Sequence, residues 1–444
     1  MKIYRLLLLA FCFYSTVTFA QKSLLQSGPM VGYCEMTEAL IWVQTKKEAK
    51  VKIEYFAIDN PQNVFVSSSL DTKKEDGYTA KLILDKITEG KMYNYTLFIN
   101  NNKINLDYET TFSSKELWQW RKEAPDFSVA LGSCTYINEP DVDRPGKGYG
   151  DNYSIFRTIN NKKPNIMLWL GDNTYLREAD FDSKTGIYHR FTHSRSISDL
   201  QPLLARTQNI AIWDDHDFGP NDSDRSYTYK YVTQKAFKDF WGNKTYGLDF
   251  EQREGVFSTY SWGDVQFFLL DDRFFKSPND RKTGEKTILG KQQLEWFIDA
   301  LASSTANFKV VCIGGQVINS AEKFENYANY SNERDYLLSE IQKNKVRGVF
   351  FLTGDRHFSE LSSLKRENTY PLYDWTVSPL TSGVAKSALD EKNTNRVEGS
   401  LFMEQNFGML YFSGDRKNRQ VKMVLYNPEG KELWDKVLLL NDLK

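Results

Sequence analysis

Four short segments carry side chains that could do chemistry together. The densest is Asp214-Asp215-His216-Asp217-Phe218-Gly219-Pro220-Asn221-Asp222, which opens with carboxylates at 214, 215 and 217. Carboxylates so crowded repel one another unless water or cations neutralise them. A solvated surface loop is the plain alternative. However, the apolar run ending in Trp213 leads straight into the cluster and starts it at the edge of a core. Divalent cations are therefore expected, with Asn221 offering a neutral carbonyl nearby. The second segment is Gly171-Asp172-Asn173-Thr174-Tyr175. An Asp at a strand end can bridge two metals, and a Tyr three residues on can bring its phenol to one of them. A Gly-Asp turn that caps a backbone N–H is the structural alternative. The third, Gly354-Asp355-Arg356-His357, joins a carboxylate, a guanidinium suited to phosphate and an imidazole. An Asp–Arg pair beside a packed His would read the same way. The fourth is Cys134 at the end of Val129-Ala130-Leu131-Gly132-Ser133-Cys134, either a small buried hydrophobe or a thiolate ligand.

Two further groupings point to structure instead. His189 and His193 stand four apart, but no Glu or Asp of a His-Glu-x-x-His type accompanies them, so a surface helix is expected. Asp271-Asp272 before Arg273 follows the apolar run 265–270 and reads as an Asp–Arg contact bracing the site.

The elements that must position these groups are apolar runs. Residues 165–170 lead into Gly171-Asp172, 209–213 into Asp214–Asp217, and 349–353 into Gly354–His357. None of these runs alternates, which fits strands buried on both faces. Groups just past the C-terminal ends of such strands are where α/β sheets hold ligands. A helix is predicted over 291–301, with Leu294, Phe297, Ile298 and Leu301 at three- and four-residue spacing. From Phe407 onward the chain reads as hairpins turning at 413–415 and 427–430. Ahead of Asp126 the texture differs. Runs 39–43, 51–55 and 93–99 are short strands among turn signals, which predicts an antiparallel β-sandwich without a catalytic cluster. The expected division is a signal peptide at 1–20, a positioning sandwich at 21–113, a linker at 114–125 and a catalytic domain at 126–444.

Composition narrows the function classes. The 444 residues carry 57 basic and 58 acidic side chains, without the basic excess of a nucleic-acid platform. The 29 Phe, 25 Tyr and 10 Trp supply large cores and exclude a mostly disordered chain. With only 4 His, a centre built from histidines is nearly excluded. Carboxylates and other oxygen ligands must then do most of the work. Met1-Lys2-Ile3-Tyr4-Arg5, the apolar run 6–14 and Thr18-Phe19-Ala20 read as a secretory signal cleaved after Ala20. The run is shorter than the roughly 20 residues of a membrane span, and Phe11 is too bulky before Cys12 for a lipid anchor. No other stretch is long enough to span a membrane. Cleavage leaves Cys34, Cys134 and Cys312, an odd and sparse set that is no disulfide scaffold. A soluble monomer in the periplasm or the medium is expected.

Taken in order, several motifs together resemble those of the PhoD-like alkaline phosphatases, a branch of the calcineurin-like metallophosphoesterases. They are Gly28-Pro29-Met30-Val31-Gly32-Tyr33, Gly132-Ser133-Cys134, Gly171–Tyr175, Trp213–Asn221, Gly354–His357 and Ser378-Pro379-Leu380-Thr381-Ser382-Gly383. The likeness covers most of the mature chain. It implies an α/β fold: a four-layer αββα sandwich preceded by an all-β immunoglobulin- or fibronectin-like sandwich. It also implies hydrolysis of phosphate esters by a metal-activated hydroxide at a two-metal site. One metal, Fe(III) as suits thiolate, phenolate and imidazole, would use Cys134, Asp172, Tyr175 and His357. The second, Ca(II) or Mg(II) in its place, would share Asp172 and take Asp215 and Asp355. Asn221 would complete this metal or hold the phosphate. The implied catalytic set is His216, Arg356 and Asp217. Arg356 would neutralise the phosphate. His216 would bind phosphate or protonate the leaving oxygen, with Asp214 or Asp217 setting its pKa.

Departures from the wider pattern are informative. Asp215 stands where Asn is usual, Asp355 where His is usual, and Gln316 of Gly314-Gly315-Gln316 occupies another customary His position. They match the shortage of His and argue against a dizinc site. Within enzymes, the alternative is a phosphodiesterase or phospholipase-D-like preference for diesters. Outside them, it is a non-catalytic glycan- or phosphate-binding protein. The polar loop 386–398 is a candidate lid by position.

Overall fold

The computed structural model describes residues 24–247 and 254–444, so the signal segment expected at 1–20 lies outside the described residues. Among the described residues no helix is long and apolar enough to cross a membrane.

Alternation builds the first domain. In Lys50–Ala57 and Met92–Ile99, the side chains Val51, Ile53 and Tyr55, and Tyr93, Tyr95, Leu97 and Ile99, are buried while their neighbours face outward, as the two-residue period of a half-buried strand requires. These strands pair antiparallel, and Phe65–Val66, Leu70–Asp71, Asn102–Lys103 and Thr111–Ser113 complete their sheet. The facing sheet is Leu25–Cys34, Ala39–Thr45 and Thr79–Leu84. Ala39–Thr45 does not alternate: every residue is buried. Its second face packs on the larger domain, where Trp42 Nε1 donates to the Asp239 carbonyl at 2.8 Å and the Trp42 ring lies 5.9 Å from Phe240. Backbones come close enough at Gly32 that a Cβ there would lie 2.8 Å from the Gly242 carbonyl oxygen. Both domains contribute to one continuous apolar cluster. The segment 114–125 between them holds neither helix nor strand.

The larger domain contains two six-stranded sheets. The first runs Gln208–Ile212, Ile166–Leu170, Phe127–Gly132, Phe407–Ser413, Gln420–Tyr426, Glu432–Leu439. Its first three strands are parallel and its last three form the two C-terminal hairpins. The second runs Ser258–Trp262, Val265–Leu269, Phe308–Cys312, Val349–Thr353, Leu372–Thr376, Glu360–Leu364. Its four central strands are parallel. The sheets meet through aromatic contacts, Phe308 against Phe412 and Trp375 against Trp434. Outer faces carry helices: Phe156 of Ile155–Asn161 covers Trp169, and Phe297 of Gly290–Ser303 covers Phe268. The four layers are thus helix, sheet, sheet, helix. The central parallel strands are buried along their whole length, as strands covered on both faces must be.

Candidate metal centre and cleft

Five strands deliver the candidate groups at their C-terminal ends. Phe127–Gly132 leads to Cys134, Ile166–Leu170 to Asp172, Gln208–Ile212 to Asp214–Asp217, Val349–Thr353 to Asp355 and His357, and Leu372–Thr376 to the Ser378–Gly383 turn. Four of these residues adopt positive φ: Cys134 at 59°, Asp172 at 51°, Asp355 at 63° and His357 at 56°. Side-chain-bearing residues pay for that region, and such strain gathers where a site over-determines the backbone.

Cys134, Asp172, Tyr175 and His357 converge. Cys134 Sγ lies 3.6 Å from Asp172 Oδ2, and Tyr175 Oη is 3.1 Å from the same oxygen and 3.2 Å from His357 Nε2. The 378–383 turn cradles this group: Ser378 Oγ donates to Cys134 Sγ at 3.0 Å, and the His357 N–H donates to Ser378 Oγ at 2.9 Å. Asp172 also belongs to a second group with Asp215 and His216. Asp215 in turn groups with Asp214 and Asp355. The ligand atoms of each group lie within 4.8 Å of one another.

The electrostatics fit bound cations. Burial, with Asp215 and Cys134 adding, pushes the Asp172 carboxyl well above the carboxylate range. Burial and Asp215 push Asp355 to about 7, and burial lifts the Cys134 thiol to about 11. Burial lowers both His216 and His357, so their imidazoles are neutral near pH 7. Asp214 Oδ2 and Asp215 Oδ1 are buried with no hydrogen-bond partner among the described residues. A cation is the group that satisfies such atoms and reverses these displacements. The donors divide by softness: thiolate, phenolate and imidazole on one side of Asp172, carboxylates on the other.

Beside this centre lies a cleft of about 660 Å³, lined by Tyr136, Tyr149, Tyr175, Phe181, His216 and Asn221 among others. The His216 ring stacks on Tyr175 at 4.2 Å. Asn221 is exposed on the cleft wall.

The structure corrects several expectations. Arg356 does not reach into the cleft: its guanidinium is buried against Glu391 at 2.5 Å, Gln316 Oε1 at 2.5 Å and Asn326 Oδ1 at 2.7 Å. Its charge is already neutralised by Glu391, which belongs to the loop expected to be a lid. That loop is fastened, with Arg396 paired to Glu360 and Asn393 Nδ2 donating to Ser362 Oγ at 2.8 Å. Asp217 is fully buried and accepts from the Asp214 and Asn173 amides, closing the capping box of the short helix Asp215–Phe218. It has no access to a substrate, and His216 feels chiefly burial and Asp215 instead. Gln316 turns to Arg356, Glu360 and Thr376 rather than to the centre. Arg273 does brace the site: it lies 3.6 Å from Asp272 as expected and binds more closely to Asp214, at 2.5 Å from Nε, and Glu325, at 2.5 Å from Nη1. His189 and His193 bond Glu139 and the Asn138 carbonyl, away from the converging groups.

Some residues were not foreseen. Asp222 and Glu325 form a further acidic group with Asp215. Asp222 sits beside Asn221 and its N–H donates to Asp215 Oδ2 at 2.8 Å, so its place in the motif was a usable signal. Glu325 lies in an irregular segment with no motif to mark it. Tyr149, whose Oη is 3.0 Å from His357 Nδ1, is flagged only by the glycines around it in Gly146-Lys147-Gly148-Tyr149-Gly150.

Comparison with known proteins agrees with this architecture. The family model described as PhoD-like phosphatase matches residues 129–423, and one described as a domain of unknown function (DUF7800) matches residues 22–117. Alkaline phosphatase D of Bacillus subtilis (strain 168) is 21% identical over 286 residues, covering 54% of this chain and 47% of the relative. This chain thus aligns with about half the length of that curated relative. The solved structure of PhoD superposes with a TM-score of 0.74 at 15% identity, covering 92% of each chain. The purple acid phosphatase PPD1 from yellow lupin (Lupinus luteus) seeds gives a TM-score of 0.66 at 12% identity, covering 93% of this chain and 74% of that one. These two likenesses concern the fold.

Proposed function

Because the chain belongs to the PhoD-like phosphatase family, we propose that it is an exported, metal-dependent phosphohydrolase that cleaves phosphate monoesters, diesters or both. The observation that carries this reading is the convergence on Asp172 of a soft donor set and a carboxylate set at the strand ends, beside an open cleft. Donor chemistry supports Fe(III) on Cys134, Asp172, Tyr175 and His357, and Ca(II), with Mg(II) as substitute, on Asp172, Asp215 and Asp355. Bound cations supply charge neutralisation at phosphate oxygens and acidify water. The chain's own residues do the rest. Asp172 holds the two sets in register, and the Ser378–Gly383 turn fixes the Cys134 thiol and the His357 ring. His216, on the cleft wall, holds a phosphate oxygen or passes a proton to the leaving oxygen. Asn221 completes the second metal's ligand set or offers its amide to the ester. The composition of residues 1–20 supports export with cleavage near Ala20.

A diester preference is the second reading, and the cleft favours it. Its lining includes the aromatic rings of Tyr136, Tyr149 and Phe181, against which the organic group of a second ester would pack. Parallel assays of mono- and bis-(para-nitrophenyl) phosphate separate the two. Elemental analysis of the purified protein tests the centre itself, and absence of both iron and calcium would favour a non-catalytic binding protein. Asp172→Asn should lower turnover by at least about 10³-fold while folding survives. Hydrolysis at the parent rate would sink the model.

A further inference from the structure

The hydroxyl of Tyr149, on one wall of the cleft, has no role in the reading above. Tyr149 is held on a clamped backbone: the Gly150 N–H donates to Asn138 Oδ1 at 2.8 Å, and Asn138 Nδ2 donates to the Gly150 carbonyl at 2.6 Å. Its ring meets Tyr136 edge-on at 4.8 Å. On another side it lies over Gly383, where a Cβ would come within 2.5 Å of the ring. Position 383 must therefore lack a side chain for the ring to sit there.

The hydrogen-bond count at His357 then fixes what the phenol can do. His357 Nδ1 lies 2.6 Å from the Gly383 carbonyl oxygen, 3.0 Å from Tyr149 Oη and 3.1 Å from Ser382 Oγ. A carbonyl only accepts, so Nδ1 must carry a hydrogen, and the Nε2 lone pair is left facing Tyr175. That hydrogen goes to the nearest acceptor, the Gly383 carbonyl, so Tyr149 Oη faces a nitrogen without a lone pair and cannot donate to it. Its own hydrogen has no acceptor among the described residues, and the residue is 46% exposed on the cleft wall. A donor is thus left free on the wall of the cleft, on a ring held between Tyr136 and Gly383.

We infer that Tyr149 is a catalytic residue that contacts substrate, its phenolic O–H donating a hydrogen bond to an oxygen of the phosphate group held at the centre. The inference rests on the phosphohydrolase reading and adds a donor to it in place of the one expected from Arg356. Such a donor, its ring held in place by Tyr136 and Gly383, stabilises charge on the phosphate with little reorganisation during the reaction.

Tyr149→Phe keeps the ring and removes only the hydroxyl. The measurements are orthophosphate binding by calorimetry, kcat/KM for para-nitrophenyl phosphate and metal per chain, on the parent and the variant as purified. The variant should hold the same metal, yet bind orthophosphate more weakly and lose kcat/KM by about ten- to a hundredfold, as loss of one hydrogen bond to a charged oxygen predicts. Unchanged orthophosphate affinity would overturn the inference. So would a loss of activity matched by a loss of metal, because Tyr149 would then only support His357. A parent protein that holds metal but neither binds orthophosphate nor hydrolyses the ester overturns the phosphohydrolase reading, and this inference with it.

Discussion

Replacing Asp355 with Asn should stabilise the metal-free protein and disable the metal-loaded one. Burial, with Asp215 beside it, moves the Asp355 carboxyl from 3.8 to about 7. A raised carboxyl pKa means that the folded state holds the proton more tightly than the unfolded chain does. The associated stability is whole below about pH 4 and is lost as the pH climbs through about 7. At about 1.36 kcal/mol per pH unit, the full loss above pH 7 is about 4 kcal/mol. Asn is close to isosteric and carries no charge, so after chelation at pH 8.5 the variant should be more stable than the parent by about 2 to 4 kcal/mol. At pH 4 the two should melt together. With cations restored the order reverses, because the variant lacks a ligand and gains less from binding. Its activity should fall by more than the 10- to 100-fold typical of losing an outer-shell partner. Thermal melts at both pH values, with chelator and with added iron and calcium, read all of this. Equal melting of parent and variant in chelator at pH 8.5 would refute the claim that crowded carboxylates are held together by cations.

Two other outcomes follow from the same geometry. Reconstitution with Fe(III) should give visible charge-transfer absorption from the Tyr175 phenolate and the Cys134 thiolate, and Tyr175→Phe should remove the phenolate part, weakening and shifting the spectrum while the fold survives; an unchanged spectrum in the variant would remove Tyr175 from the ligand set. Glu391→Gln leaves the buried Arg356 charge without its anionic partner, which should cost about 3 to 5 kcal/mol in chemical denaturation while leaving KM near the parent's value. A large change in KM with little loss of stability would return Arg356 to the substrate.

The chemistry-bearing segments were legible because each follows an apolar run. Burial on both faces erases alternation in Ile166–Leu170, Gln208–Ile212 and Val349–Thr353, and the polar residues that follow mark the strand ends. What stayed hidden was direction. Arg356 and His357 are adjacent in sequence, yet one turns to Glu391 and the other to Tyr175; both lie past the strand end at Thr353, where the positive φ at Asp355 and His357 leaves no regular period to read. Asp217 reads as one more acid in a cluster, and only the helix it caps reveals that its oxygens are spent on backbone amides. Glu325 and Glu391 supply counter-charges to Arg273 and Arg356 from loops far away in sequence. No local pattern encodes such pairings.

The sandwich domain, bare of catalytic groups and expected to pack or position, has contacts through which it would do so. The strand Gln208–Ile212 is the outermost of its sheet and delivers Asp214–Asp217 to the centre. An edge strand exposes unpaired backbone groups and is prone to fraying. Here the sandwich strand Leu25–Cys34 lies against it: Gln208 Oε1 accepts from the Cys34 N–H at 3.2 Å, and Asn209 Nδ2 donates to the Val31 carbonyl at 3.2 Å. Asn209 also donates to the Thr207 carbonyl at 2.6 Å and accepts from Trp169 Nε1 at 3.0 Å, wholly buried. One amide therefore ties the sandwich, the edge strand and its neighbour together. Asn209→Ala strands the Trp169 N–H and several carbonyls away from water, at a cost of about 2 to 4 kcal/mol. Because the edge strand carries the acidic cluster, the variant should also lose its metals to chelator faster than the parent at the same temperature. If stability falls but the rate of metal loss does not change, the sandwich only packs against the larger domain and does not steady the centre.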